Sequence, residues 1–321
     1  MTTAKTWDTY INDRVFSLSI TIGILILALS LIFPEQFATR DNFSQVLLNL
    51  SIDTIVAVGM MILLIGGMFD LSVGSIVAFS GGMAGYLMYY HDTPVVLAVL
   101  SALVGAGLIG FVNGWLIARV GINPMIQTLA MMGIVRGFAL MLSGAGIQNF
   151  AWEFLILGQS KLLGLQMPIW YMILIVVVCH FLVEKSSFFR RYYFIGGNEK
   201  AAMLSGIQVG KMKIWAFVII ALLAGIAGIL LSSRLGAALS TSGRGLELRV
   251  ITAVILGGAS LSGGQGKILG AFLGALFMAI INNALIIGRV SGYWQEVILG
   301  VILILAVAID QLLLKKAQST Y

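Results

Sequence analysis

The sequence predicts an all-α polytopic membrane protein of about ten transmembrane helices with cytoplasmic N- and C-termini. Three observations carry that prediction. Hydrophobic residues make up 60% of the chain and charged residues 10%, and the mean hydropathy is +1.03. Apolar runs close to the roughly 20 residues that a hydrocarbon core requires recur from one end to the other. Lys and Arg divide unevenly between alternate connections, as cytoplasmic and external loops do.

In chain order the expected spans are 15–33, 45–67, 71–90, 95–118, 124–143, 167–183, 213–232, 250–262, 268–288 and 293–309, of which the eighth is short. The first contains no charge, is long for a signal peptide and has no small-residue cleavage site after it, so it reads as a retained span. An even number of spans puts both ends on one side. With the N-terminus inside, twelve of the 19 Lys and Arg lie inside, six lie outside, and Arg136 falls within a span. The net charge of +6 follows from that topology and requires no nucleic acid.

Residues 1–321 read as a single transmembrane domain whose longest polar segments are 184–212 inside and 233–249 outside. Glycine supplies 38 residues, well above the ordinary ~7%. Pairs such as Gly81 with Gly85, Gly110 with Gly114, Ala224 with Gly228 and Gly270 with Gly274 have the small-xxx-small spacing that brings membrane helices together. Cys179 stands alone, which excludes a disulfide within the chain. His91 and His180 have no neighbouring ligand cluster, so no metal site is expected.

The stretch GGNEKAAMLSGI, Gly196 to Ile207, is a polar island on the inner side. Asn198 can cap a short helix, with Glu199 in its first turn where the helix dipole favours an acid. Ala201, Ala202, Leu204, Ser205 and Ile207 then give that helix an apolar side, with Gly206 near its end. A helix of this kind either sits in the groove of a protein partner or lies on lipid.

Leu261 to Gln265 spell LSGGQ, the signature of ATP-binding cassettes. A phosphate loop ending at Gly266-Lys267 would need Gly at 261 and Ser or Thr at 268, and the chain has Leu261 and Ile268. No other match to that pattern occurs, so LSGGQGK reads as a glycine-rich turn between spans. With no phosphate loop, metal-ligand spacing or nucleophile–base pairing, an enzyme is not expected.

Four stretches together resemble the membrane permease subunit of bacterial ATP-binding-cassette importers, in the ribose/xylose/arabinose (monosaccharide) branch near the branched-chain amino acid permeases. GGMFDLSVGS at 66–75 is similar to that family's GGIDLSVGS, with Phe69 in place of Ile. GGNEKAAMLSGI resembles its cytoplasmic loop, AVILGGASLSGGQG at 253–266 its paired-glycine turn, and YWQEVILGVILILAVAID at 293–310 its last span. Arg249 departs from the pattern, which has an acid or a small residue there.

The resemblance implies a multi-pass protein of the bacterial inner membrane. It implies a second permease subunit, identical or related, a cytoplasmic cassette ATPase and an extracytoplasmic solute-binding protein, all in contact with membrane lipid. ATP would be bound only by the ATPase, and Gly196, Gly197 and the helix that follows would couple to it. The cargo implied is a small sugar. An autoinducer, polyol, nucleoside or amino acid carried by the same architecture remains open, as does an ion-coupled secondary transporter.

Polar residues within spans are candidates for the path. Asn49 and Asp53, four apart, share a helix face, where they line a wet path or clamp two helices. Asp70 either caps the helix after it or lines the Gly66-Gly67 break, which has a counterpart at Gly257-Gly258. Arg136 pairs with Asp53 or Asp70, or holds the carbonyls of a broken helix. Asn113, Asn282 and Asn283 suit hydroxylated cargo and equally suit helix packing. Arg234, Arg244 and Arg249 on the outer side are candidates for docking the acidic surface of a binding protein.

Overall fold

The computed structural model describes residues 14–318; the chain ends at 1–13 and 319–321 lie outside the described residues. The helices are α1 (Arg14–Ile32), α2 (Arg40–Ile65), α3 (Val73–His91), α4 (Val95–Trp115), α5 (Pro124–Ser143), α6 (Trp152–Gln159), α7 (Met167–Lys185), α8 (Ser187–Gly197), α9 (Glu199–Leu204), α10 (Val209–Leu235), α11 (Leu246–Leu256), α12 (Ile268–Ile287) and α13 (Gly292–Gln318). A π-helical turn, Leu116–Val120, extends α4. Four two-residue strands form two small antiparallel hydrogen-bonded pairs: β1 (Ile147–Gln148) with β4 (Ala237–Ala238), and β2 (Lys161–Leu162) with β3 (Leu165–Gln166).

Among the described residues seven helices, α1, α2, α4 with its π turn, α5, α7, α10 and α12, are long and apolar enough to cross a membrane. α2 and α10 form the centre. From Leu50 to Ile65 nearly every residue of α2 is buried, whereas α1 and α4 expose apolar rows such as Ile24, Leu27 and Leu31, or Val96, Leu100 and Val104. Exposed apolar rows of this kind face hydrocarbon. α10 packs on α2, α3 and α4.

The small residues are what let these helices approach. A methyl group on Gly110 or Gly114 of α4 would meet the backbone of α10 at Phe217 or Ile214. One on Gly228 of α10 would meet the backbone of α3 at Val77, and one on Gly81 would meet Ser232. Without a hydrophobic drive between helices in lipid, such backbone proximity supplies the packing energy.

The expected span at 250–262 is corrected by the structure. Its helix is α11, only 11 residues long, and 257–267 is turn. At 1.5 Å per residue, α11 is about half the length of a crossing. Before it comes a non-helical segment, 236–245, a two-residue strand followed by a run of turns, that lies beside α3. Its Ala238 lies against Gly85 near the Arg234 end, and its Gly243 lies against Gly74, at the start of α3. Ser240-Thr241-Ser242-Gly243-Arg244-Gly245 cannot hold a helix, because Gly243 and Gly245 sit in the left-handed region at φ 69° and 70°. The expected outer loop 233–249 is therefore narrower than its sequence limits: 233–235 finish α10 and 246–249 begin α11. Likewise 184–212 contains the end of α7, all of α8 and α9, and the first turn of α10.

Candidate functional site

The polar island lies at the Lys213 end of the bundle. Ser186 caps α8 by accepting from the Phe188 amide at 3.2 Å. The amphipathic α8 buries Tyr192 and Ile195, and the Tyr192 hydroxyl donates to the Met212 carbonyl at 2.9 Å. That burial raises the Tyr192 phenol above its ordinary pKa. Asn198 then caps α9, its Oδ1 accepting from the Ala201 amide at 3.0 Å. Lys213 holds Glu199 at 2.7 and 2.9 Å. α9 closes with amides of Gly206 and Ile207 donating to the carbonyls of Met203 and Ala202, an arrangement that the left-handed Gly206, φ 82°, permits. Ala202 faces inward, Ala201 and Ser205 are exposed, and Leu204 at the tip is 91% exposed. The result is a six-residue peg, fixed at both ends, that presents leucine outward.

The Asn49–Asp53 stripe of α2 is met by two of the three outer-side arginines. Arg234 Nη2 donates to Asn49 Oδ1 at 2.9 Å, and Arg249 Nε to Asp53 Oδ2 at 3.5 Å. Arg249 also donates to the Arg244 carbonyl at 3.3 Å. Asp53 and Arg249 keep 31% and 32% of their side-chain surface exposed, and Asp53 is the one residue from Leu50 to Ile65 of α2 that is not buried. Arg244 itself is exposed.

Asp70 does not cap α3. The helix begins at Val73 after Ser72, and Asp70 Oδ1 instead accepts from the Ser72 amide at 2.7 Å and from its hydroxyl at 2.5 Å, closing an Asx turn. From there a buried polar chain runs outward through the fold: Asn113 donates to the Ser72 hydroxyl at 3.2 Å, and Gln127 donates to Asn113 Oδ1 at 3.1 Å. It joins the break before α3 to α4 and α5.

Arg136 takes the last of the roles open to it: Nη1 donates to the carbonyls of Ser240 and Ser242 at 2.6 and 2.8 Å, so one guanidinium holds the non-helical turns that precede α11. Asn283 forms a reciprocal amide pair with Asn42, at 3.1 and 2.7 Å, tying α12 to the first turn of α2; Asn282 beside it is half-buried. The polar candidates thus occupy separate places: a partly open ion pair on α2, a buried chain at Asp70, a carbonyl clamp at Arg136 and an amide clamp at Asn283.

Comparison with known proteins decides the family. The profile described as "Branched-chain amino acid transport system / permease component" matches residues 42–307. The chain belongs to this permease family. Similar relatives include an L-arabinose ABC transporter permease protein of Azospirillum brasilense, 42% identical over 90% of this chain and 85% of the relative. A ribose import permease protein of Haemophilus influenzae is 34% identical over 94% of both chains. A D-allose transport system permease protein of Escherichia coli is 33% identical over 96% of this chain and 93% of the relative. No solved structure matches the chain. The protein is therefore a transport subunit rather than an enzyme, and a multi-pass protein of the bacterial inner membrane.

Two parts of the permease were not foreseen from its sequence. Segment 236–245 reads in sequence as an ordinary polar loop, and the signal for its turns is the glycine pair in SGRG, both left-handed in the structure. The other part is the bonding of Ser72 and Gln127 to Asn113, which only contacts across helices reveal. The clamp on 236–245 yields an expectation. Arg136→Met leaves the Ser240 and Ser242 carbonyls without their donor, at ~1–3 kcal/mol for each that stays dry. Amide exchange over 239–245 in detergent is expected to accelerate and thermal stability to fall, with Arg136→Lys restoring part of both. Unchanged exchange would assign the hold on this segment to other contacts.

Proposed function

We propose that this permease is the translocation subunit of an ATP-driven, binding-protein-dependent importer of a small sugar. The reading is supported by relatives named for L-arabinose, ribose and D-allose. In it, α1 to α5, α7 and α10 to α13 supply ten membrane-level helices, with both termini and the Lys213 end in the cytoplasm. The apolar outer rows face lipid. A second permease subunit faces the first, a cassette ATPase carries all of the ATP, and a soluble binding protein delivers solute at the Arg234 end.

The observation that carries the coupling part is the α9 peg. A leucine 91% exposed on a capped helix, beside the half-exposed Met203, fits a groove in an ATPase subunit, and Gly196 to Ile207 is assigned that role. Asn49, Asp53 and Arg249 are assigned to the path, because an ion pair one-third exposed is expensive in hydrocarbon and stable beside water. Asp70, Asn113, Arg136 and Asn283 support that path as hydrogen-bonded parts of the frame around it, with the half-buried Asn282 beside Asn283. Docking of the binding protein then rests on Arg244, since Arg234 and Arg249 are engaged with α2.

The test is purification from native membranes with associated subunits, followed by uptake into proteoliposomes of labelled L-arabinose, D-ribose, D-allose and L-leucine. ATP-dependent sugar uptake that needs the binding protein is expected. Uptake of leucine alone would overturn the sugar assignment. Uptake driven by an ion gradient without an ATPase would overturn the importer itself.

A further inference from the structure

Three segments that are distant in sequence meet at the Lys213 end, and they meet through backbone. The first is the end of α2 with the Gly66-Gly67 turn. The second is Gly196, at the end of α8, from which the α9 peg departs. The third is the LSGGQG turn between α11 and α12. The Ile65 carbonyl accepts from the Gly264 amide at 2.8 Å. A methyl group placed on Gly196 would collide with the Ile65 carbonyl oxygen and the Gly264 nitrogen. One placed on Gly263 would fall 2.8 Å from Gly196 Cα and 2.9 Å from Gly67 Cα. Gly263 and Gly264 hold left-handed conformations, φ 85° and 74°, that suit glycine. Beside them the Tyr193 hydroxyl donates to the Gly266 carbonyl at 2.8 Å.

We propose that Gly67, Gly196 and Gly263 form the junction that carries movement of the α9 peg to the end of α2 and to the turn before α12, with Tyr193 as its tether. The proposal rests on the reading that α9 docks on the ATPase. A contact of side chains can absorb a displacement by changing rotamer, whereas backbone packed on backbone has no such slack. A push on Gly196 therefore reaches the Ile65 carbonyl and the Gly264 amide together. Their shared hydrogen bond is costly to leave unmade away from water, so the two move as one. One of them ends α2, which carries Asp53; the other belongs to the turn before α12. The arrangement also gives the LSGGQG sequence a mechanical role, as a bearing surface for the coupling loop. These are positioning residues: they touch neither nucleotide nor solute.

The experiment uses the reconstituted importer with its ATPase and binding protein, and reads ATP hydrolysed per molecule of labelled L-arabinose, D-ribose or D-allose moved. A second readout needs no solute: the change in amide exchange over 261–266 on adding ATP. Gly196→Ala is expected to keep its ATPase bound and hydrolysing while the ATP cost per solute rises about tenfold or more, as overpacking of a tight contact implies. Tyr193→Phe removes one hydroxyl without crowding and is expected to raise that cost by about three- to fivefold. Both variants should blunt the ATP-dependent exchange change. Gly210→Ala is the control, since its methyl would meet only Ala118, at an ordinary 3.9 Å.

A wild-type ratio and exchange response in Gly196→Ala would overturn the junction. If Gly196→Ala fails to assemble, Tyr193→Phe decides, and a wild-type ratio there overturns it equally. Failure of the docking reading has a different mark: Leu204→Glu would keep the ATPase bound, whatever the two junction variants do.

Discussion

Leu204→Glu is expected to abolish association with the ATPase and ATP-driven uptake, while the chain still inserts and folds. The folded chain does not depend on this side chain, which is 91% exposed at the tip of α9. The cap at Asn198, the Glu199–Lys213 ion pair and the Gly206 closure hold the peg independently of it. Docked in an apolar groove, leucine contributes about 2 kcal/mol through burial alone. A carboxylate in the same place forfeits that and adds the cost of an unpaired buried charge. The sum exceeds two factors of ten in affinity, so copurification of the ATPase should be lost by more than about 100-fold. The measurement is the yield of ATPase on affinity-purified permease, with thermal unfolding as the check on folding. A variant that keeps its ATPase and transports normally would return α9 to the other role open to it, a helix lying on lipid.

How far the sequence was legible depends on the kind of order involved. Seven of the ten expected spans match helices long and apolar enough to cross, because hydropathy is a local property: 124–143 coincides with α5, and 268–288 overruns α12 by one residue. The peg was readable because caps are local too, and Asn198 followed by Glu199 states a helix start in two residues. The broken crossing at 236–256 was not readable. Its non-helical half is held by the Arg136 guanidinium and by pairing with β1, and it packs on Gly74; none of those lies near it in the chain. The same limit applies to the candidate site. Asn49, Asp53 and the three arginines stood out as polar residues in or beside spans, but that Arg234 and Arg249 turn inward to α2 depends on how α10 and α11 pack. Asp70 was visible and its Asx turn was local, yet the cap reading failed by the few residues that separate an Asx turn from an N-cap. The glycine junction was present in the sequence only as three separate pairs.

Arg249→Ala is expected to reduce uptake by about 10- to 100-fold, and Asp53→Asn by less. Removing the guanidinium leaves the Asp53 carboxylate uncompensated at membrane depth. Removing the carboxylate charge leaves Arg249 its second acceptor, the Arg244 carbonyl at 3.3 Å. The double variant Asp53→Asn/Arg249→Ala separates the two roles that the pair can have. If it serves only to clamp α2 to α11, deleting both charges removes the uncompensated carboxylate, and stability and uptake both recover relative to Arg249→Ala. If it lines the path, stability recovers but uptake does not, because the guanidinium and the carboxylate charge facing the solute are gone. The partial exposure of both side chains favours the second outcome, since a clamp buried between helices has no reason to remain one-third open. Uptake and thermal unfolding measured on the two single variants and the double close the cycle. Recovery of uptake in the double would remove Asp53 and Arg249 from the path and leave the polar chain of Asp70, Ser72, Asn113 and Gln127 as the place to look for it.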